Sequence, residues 1–224
     1  MDLRSILSNP SAYHYLRQVM TLGLPFREWV SKYGLDQKDV RVADIGCGPS
    51  DVLRYVHGSR GQAFYLGLDL SEVYLRSARA RAAKAKLNAE FVQIDLARMP
   101  TDSGVRERVR SLLDQYAIDR VLLLGVIHHL DDAAVRQTLD LIFDTKVQSV
   151  VTQDITFLPG RPINNLFCRW DRGQHVRTSE QYEALFRTTK WPTFEKSFTT
   201  PGARNYQFIH YVLGRDTAAR RSVE

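Results

Sequence analysis

Short apolar runs alternate with helical patterns along the central part of the chain. Each run holds mostly Val, Leu, Ile and Phe with little polar alternation, which is typical of parallel strands buried on both faces. Between two of the runs, Leu75, Ala78 and Ala82 recur at helical spacing. Strands that alternate with helices predict an α/β domain with a parallel sheet. The predicted strands are 41–45, 64–69, 91–96, 119–126 and 147–154.

Different patterns flank this core. Ser11 to Met20 and Pro25 to Tyr33 show helical spacing and predict an N-terminal helical cap over one end of the sheet. Thr178 to Gln181 has the spacing of a capping box, which predicts a helix start. These patterns predict a single domain with a cap at 1–38, a core at 39–154 and a lid loop without periodicity at 155–177. A helix and two strands, Trp191–Thr199 and Asn205–Leu213, follow within 178–214.

A glycine turn follows the first strand. Gly46 and Gly48 let the backbone turn sharply and approach a ligand, since no Cβ stands in the way. Asp44 lies two positions before the first glycine, at the carboxyl edge of the strand. Open α/β sheets bind ligands at this edge, so the turn predicts one end of a nucleotide-like site.

Two further acids, Asp69 and Asp95, end the second and third strands. Asp69 stands about 20 residues after the glycines, where Rossmann-type sites bind ribose hydroxyls. The alternative is that these acids cap the helices that follow, because Asp is a preferred N-cap residue. Ser71 competes with Asp69 for one cap, so capping does not require every acid.

Residues 40–143 resemble the class I S-adenosylmethionine-dependent methyltransferases. The family's first motif is matched by Asp44-Ile-Gly46-Cys-Gly48-Pro-Ser50, with Ser50 in place of the third glycine. The resemblance implies a Rossmann-like, doubly wound seven-stranded sheet that is mostly parallel, with the last strand antiparallel. It implies S-adenosyl-L-methionine as cofactor, bound by Asp44, Gly46, Cys47, Gly48, Asp69, Leu70, Asp95, Leu96 and Gly125.

The implied roles differ between these residues. Gly46 and Gly48 would pass under the methionine part of the cofactor, with Asp44 near its ammonium group. Asp69 would take the ribose hydroxyls. Asp95 and Leu96 would flank the adenine, while Gly125 and the residues after it would line the side nearest the methyl group.

Two other ligand classes fit less well. A nicotinamide dehydrogenase would place Asp51 where the third glycine meets a pyrophosphate, and the chain has no Tyr-x-x-x-Lys pair. Enzymes that methylate exocyclic base amines resemble one another in an Asn- or Asp-Pro-Pro-aromatic turn after the fourth strand. This chain has Ile127-His-His-Leu130 there, which leaves ribose or ring-nitrogen methylation of RNA as the open alternative.

Composition adds few constraints. The net charge is +6, and a basic concentration at 76–86 is read as a solvated helix face rather than a nucleic-acid footprint. The chain has two cysteines and no secretory or membrane-spanning pattern, so a cytoplasmic monomer or homodimer is expected. No metal is expected, because neighbouring histidines on a strand cannot both face one ion.

Candidate catalytic and substrate residues cluster after the fourth strand and in the lid. His128 and His129 are candidate general bases, with Asp154 and His175 as second choices, although one of the two adjacent histidines is expected to hold the loop instead. Arg177 opposes a helix dipole, which indicates an anionic partner from either the protein or a substrate. Substrate binding is assigned to Arg161, Trp170, Arg172, His175 and Arg177.

The lid refines the expected activity. Residues 171–177 loosely resemble bacterial methyltransferases of small molecules, including some that act on sugars. We therefore expect methyl transfer to oxygen or nitrogen of a small polar metabolite, such as a sugar or a small anion, without nucleic acid as partner. A protein that binds S-adenosylmethionine without catalysis is the remaining alternative.

Overall fold

The computed structural model describes residues 34–35, 37, 39–53, 63–171, 173–199 and 207–215. The two helices expected at 11–33, the rest of the N-terminal cap except residues 34, 35 and 37, and Arg172 lie outside the described residues. The strands are β1 (Arg41–Ile45), β2 (Phe64–Asp69), β3 (Ala89–Gln93), β4 (Arg120–Leu124), β5 (Ser149–Phe157), β6 (Arg177–Thr178), β7 (Thr193–Thr199) and β8 (Phe208–Gly214). The helices are α1 (Glu72–Ala85), α2 (Ser103–Gln115), α3 (Asp132–Phe143), α4 (Pro162–Trp170) and α5 (Ser179–Phe186).

Seven of these strands form one sheet in the order β3-β2-β1-β4-β5-β8-β7. The pairs among β1 to β5 are parallel, whereas β8 runs antiparallel between β5 and β7. The two-residue strand β6 adds a short parallel pair with β5. The expected doubly wound sheet with an antiparallel last strand is therefore confirmed, and its order reverses between β1 and β4.

Apolar layers cover both faces of the sheet. Val42, Tyr65 and Leu122 point to one face and pack with Leu75 of α1. Their strand neighbours face the opposite layer, which contains residues of α2 and α3. Because neither face of such a strand contacts water, both faces carry apolar side chains, and the strand is a continuous apolar run in the sequence. No helix among the described residues combines the length and apolar character that crossing a bilayer requires.

The helix starts follow local sequence signals. Asp102 and Asp131 accept backbone N–H bonds at the starts of α2 and α3, and Ser71 does so for α1. The expected capping box is confirmed at α5, where Thr178 and Gln181 exchange side-chain to backbone bonds. Each cap satisfies donors that the first helical turn leaves without partners.

The expectation of a loop throughout 155–177 is wrong. Strand β5 continues to Phe157, which places Asp154 inside the strand rather than at its end, and α4 follows. Nine residues are too few for a clear periodic signal, and tertiary hydrogen bonds hold this helix. The Asn164 amide donates to Thr156 O at 2.8 Å, and Asn165 bonds both the N–H and the C=O of Leu158.

Candidate cofactor and acceptor site

Asp44 is a buried acid at the carboxyl end of β1. Its side chain is 2% exposed, and the Tyr65 hydroxyl donates to its Oδ2 at 2.5 Å. Burial, and then the Asp44 charge, raise the pKa of Tyr65 well above its ordinary value, so the phenol stays protonated and remains a donor. Tyr65 was not among the residues singled out from the sequence, because an aromatic residue in a strand is typical of a core.

The glycine turn packs against the chain that follows β4. Gly46 has φ +75°, and a Cβ there would lie 2.4 Å from Val126 Cγ2. The N–H groups of Gly46 and Cys47 both donate to Leu68 O, at 2.6 and 3.0 Å. Glycine is therefore required at position 46 for both conformation and space.

Asp69 ties this turn to the start of α1. Its Oδ2 accepts from Gly48 N and its Oδ1 from Ser71 N, both at 2.7 Å. Ser71, rather than Asp69, caps the helix. The carboxylate is thus fixed at the end of β2, next to the glycine turn.

The remaining expected cofactor residues occupy the same edge of the sheet or follow it. Asp95 caps a short 3-10 helix by accepting from Ala97 N at 3.1 Å, as the alternative interpretation expected. Leu96 is buried beside it, whereas Leu70 is 61% exposed. Gly125 is exposed at the end of β4 with φ +72°.

The donor set suits S-adenosylmethionine at the point where the strand order reverses. The buried Asp44 carboxylate complements an ammonium group, while Asp69 supplies acceptor oxygens of the kind that bind a ribose diol. The turns after β1 and β4 meet at this point through Gly46 and Val126. A crevice outside the carboxyl ends of the strands is where open α/β sheets bind their ligands.

His128 lies between two carboxylates. It is 4% exposed, its Nδ1 is 2.6 Å from Asp154 Oδ1, and its Nε2 is 3.2 Å from Asp171 Oδ1. Burial lowers its pKa, but the hydrogen bonds to Asp154 and Asp171 outweigh this and raise the pKa to about 9. A histidine that is protonated at neutral pH is a poor general base, so His128 holds the loop, and the buried Asp154 positions it.

His129 has a different environment. It lies on a short 3-10 helix after β4 together with His128, and its side chain is exposed. The two imidazole rings lie 4.2 Å apart, centroid to centroid. The two histidines therefore do not lie on a strand, which was the premise for expecting no metal here.

Arg177 is satisfied within the protein. Its side chain is 8% exposed, and five hydrogen bonds engage its Nε and both terminal nitrogens. Two reach Asp132 Oδ1, at 3.0 and 2.6 Å, and the others reach the carbonyls of Ile127, Leu130 and His175. A guanidinium group has five N–H donors, so none is left for a substrate. The expected substrate contact is wrong at this position, and the anion is a protein carboxylate.

The other expected substrate residues lie around α4 and the turn after it. Arg161 is exposed, Trp170 is 40% exposed, and the half-buried His175 donates its backbone N–H to His128 O at 2.9 Å. Asp171, which follows α4, contacts His128. Gly173 is the residue of the sequence that permits this contact, because a Cβ there would lie 2.2 Å from His128 Cδ2.

Comparisons with known proteins agree with this geometry. Residues 42–145 match the model of a methyltransferase domain family. No curated protein matches the chain. Among solved structures, magnesium protoporphyrin IX methyltransferase from Synechocystis PCC 6803 with bound SAH is 15% identical, with a TM-score of 0.60 over 85% of this chain and 80% of that one.

Two further structures share the fold. A SAM-dependent methyltransferase from Aquifex aeolicus is 12% identical, with a TM-score of 0.58 over 92% of this chain and 97% of that one. Mitomycin 7-O-methyltransferase is 16% identical, with a TM-score of 0.60 over 93% of this chain and 59% of that one.

The fold is that of the class I, Rossmann-like methyltransferases. The match over residues 42–145 identifies a methyltransferase domain there, for which S-adenosyl-L-methionine is the cofactor.

Proposed function

We propose that this enzyme transfers the methyl group to oxygen or nitrogen of a small polar metabolite bound beside His129. The observation that carries the proposal is the exposed His129 imidazole, in the turn that begins at the exposed Gly125 after β4. The buried hydrogen bonds of His128 to Asp154 hold the same turn in place. An imidazole in this position can hydrogen-bond the acceptor and orient it.

The chain's main task in such a reaction is positioning. When bound, S-adenosylmethionine supplies an electrophilic methyl group on a sulfonium. Asp44 would oppose the ammonium group, and Asp69 would bind the ribose and keep the glycine turn in place. Alignment of the acceptor atom with the methyl group can supply much of the acceleration, because in-line displacement needs little other catalysis.

The chemistry around α4 supports a polar acceptor with an anionic or sugar part. Arg161 and Arg169 are exposed on this segment, together with the half-exposed Trp170. Guanidinium groups recognise carboxylates and phosphates, and an indole face packs on sugar rings. These three side chains are the proposed contacts for such groups.

Turnover on a defined panel tests the proposal. Purified protein, S-adenosylmethionine and a panel of sugars, hydroxy acids, phenols and amines are incubated, and methylated products are detected by mass spectrometry. His129→Ala is expected to lower kcat at least about tenfold while leaving the affinity for S-adenosylhomocysteine unchanged. Gln148→Ala, at an exposed position before β5, is the matched control.

Two outcomes would count against the proposal. Tight cofactor binding without turnover on any panel member would favour a non-catalytic binding protein. Full activity of His129→Ala would remove His129 from the acceptor site.

RNA methylation is the second candidate function, and the basic residues of α1 bear on it. Arg79 pairs with Glu72 at 2.6 Å, and Arg81 pairs with Asp51 at 2.5 Å. These pairs reduce the positive field of the helix and favour a solvated face. RNA affinity that falls steeply with increasing salt would favour the RNA candidate instead.

A further inference from the structure

We propose that His128, His129 and Asp171 bind one divalent transition-metal ion, with Zn²⁺ as the best chemical match. One ligand-capable atom from each residue lies within 4.8 Å of the others. Two imidazoles and a carboxylate form a donor set that suits zinc and related borderline metals. Ion binding goes beyond the proposed methyl transfer and does not depend on it.

His128 is oriented as metal-binding histidines usually are. Its Nδ1 faces the buried Asp154 carboxylate at 2.6 Å, and Asp154 Oδ1 also accepts from His128 N at 3.1 Å. In metal sites, a carboxylate on one ring nitrogen fixes the tautomer and directs the other nitrogen to the ion. This arrangement presents His128 Nε2 to the cluster.

Asp171 lies at a suitable distance from this nitrogen. The separation of 3.2 Å between His128 Nε2 and Asp171 Oδ1 allows an ion at about 2.1 Å from both, with an angle of about 100° between them. The hydrogen bonds of Asp171 to other described residues all use Oδ1, which leaves Oδ2 for a second metal contact. Gly173 permits this approach, because a Cβ there would strike the His128 ring.

His129 completes the set from the solvent side. Its side chain is exposed, so a change of rotamer can shorten the remaining separation to one that a single ion spans. Three protein ligands leave at least one coordination position open, as in catalytic rather than structural zinc sites.

Zinc titration of the full, tag-free chain tests the site. After treatment with a chelator and its removal, calorimetry with ZnCl₂ is expected to show one equivalent bound per chain. His129→Ala and Asp171→Asn should each weaken binding at least about tenfold, and Asp154→Asn should weaken it about ten- to a hundredfold. Co²⁺ provides a second readout, because its visible absorption reports nitrogen and oxygen coordination.

His175→Ala is the matched control, since it removes an imidazole from the same segment but outside the cluster. Circular dichroism and binding of S-adenosylhomocysteine are measured on every variant, which separates a lost metal site from misfolding or a failed cofactor site. Because His129 is exposed, its alanine variant is expected to fold.

The proposal is overturned if the wild-type chain binds no stoichiometric Zn²⁺. In that case a proton alone occupies the space between His128 and Asp171. It is also overturned if His129→Ala and Asp171→Asn bind Zn²⁺ as tightly as the wild type, or if His175→Ala loses the ion equally.

Discussion

Position 46 shows how one residue determines the shape of the cofactor turn. Its φ of +75° favours glycine, and the neighbouring Val126 fills the space that a Cβ would need. Ser50, in place of the family's third glycine, also has a positive φ, of 56°. The turn therefore tolerates a serine where space allows it and needs glycine where Val126 lies close.

Gly46→Ala is expected to abolish measurable binding of S-adenosylhomocysteine in calorimetry, because the turn must move away from Val126. Gly160→Ala separates the effect of backbone conformation from that of space. Gly160 has φ +70°, but no atom lies within 4 Å of the position that a Cβ would take. This control should keep its cofactor affinity. Equal losses in both variants would show that conformation, rather than space, limits position 46.

Both cysteines are buried thiols with low reactivity. Burial, and then the Asp171 charge, raise the pKa of Cys168 to about 12, and burial with the Asp44 charge raises the pKa of Cys47. The thiolate is the reactive form, so both thiols should resist modification at about pH 8. Ellman's reagent is expected to detect two thiols in urea and none in the native protein within minutes.

An exposed thiol provides the comparison for this assay. Ala97 is exposed, so native Ala97→Cys should react at once with one equivalent of reagent. Rapid reaction of the native wild type would contradict the assigned burial of Cys47 and Cys168.

At the scale of elements, Arg177 joins the turn after β4 to the short strand β6. It bonds the carbonyls of Ile127 and Leu130 on one side and of His175 on the other. Asp132, at the start of α3, supplies the negative charge that pairs with the Arg177 guanidinium group. The turn that carries both histidines is thus held by a cation from a segment about 50 residues later.

Arg177→Met is expected to lower the free energy of unfolding by about 3 kcal/mol in urea denaturation, because buried carbonyl groups lose their donors. Arg98→Met serves as control, since Arg98 is 62% exposed and pairs with Asp102 at the surface. That change should cost less than about 1 kcal/mol. A small loss for Arg177→Met would mean that water replaces the guanidinium group.

At the scale of the whole molecule, the sheet topology assembles the site. The glycine turn follows β1, the histidine turn follows β4, and Asp154 reaches His128 from β5. The strand order reverses between β1 and β4, and open α/β sheets bind their ligands at such a reversal. Cofactor bound there would contact several elements and should stabilise the folded chain as a whole.

A saturating cofactor product should therefore raise the melting temperature. At about one hundred times Kd, S-adenosylhomocysteine adds about 2.7 kcal/mol, which corresponds to about 5–10 °C for a domain of this size. Differential scanning calorimetry measures the shift. Arg98→Met should keep the shift, whereas Gly46→Ala should lose it, and a wild type without any shift would contradict the assigned cofactor site.

Local sequence patterns were enough to predict the sheet, the glycine turn and the acid at the end of β2. These features are local, because strand and helix periodicity, Gly46 with Gly48, and Ser71 as a cap each depend on residues close in the chain. Asp69 ends β2, as expected. It lies near the glycine turn because the carboxyl ends of the parallel strands β1 and β2 share one edge of the sheet. The sequence patterns did not predict where β5 ends or that the short helix α4 follows it.

Which charged groups meet depends on how distant segments of the chain pack together. His128 and Asp154 are 26 residues apart, and Arg177 and Asp132 are 45 apart, so no local pattern pairs them. Their proximity then changes their chemistry, because the hydrogen bonds of His128 to two carboxylates outweigh its burial and keep a proton on the imidazole that an exposed one would release near neutrality. Packing thus made Arg177 a structural residue and brought Asp171 to the histidines.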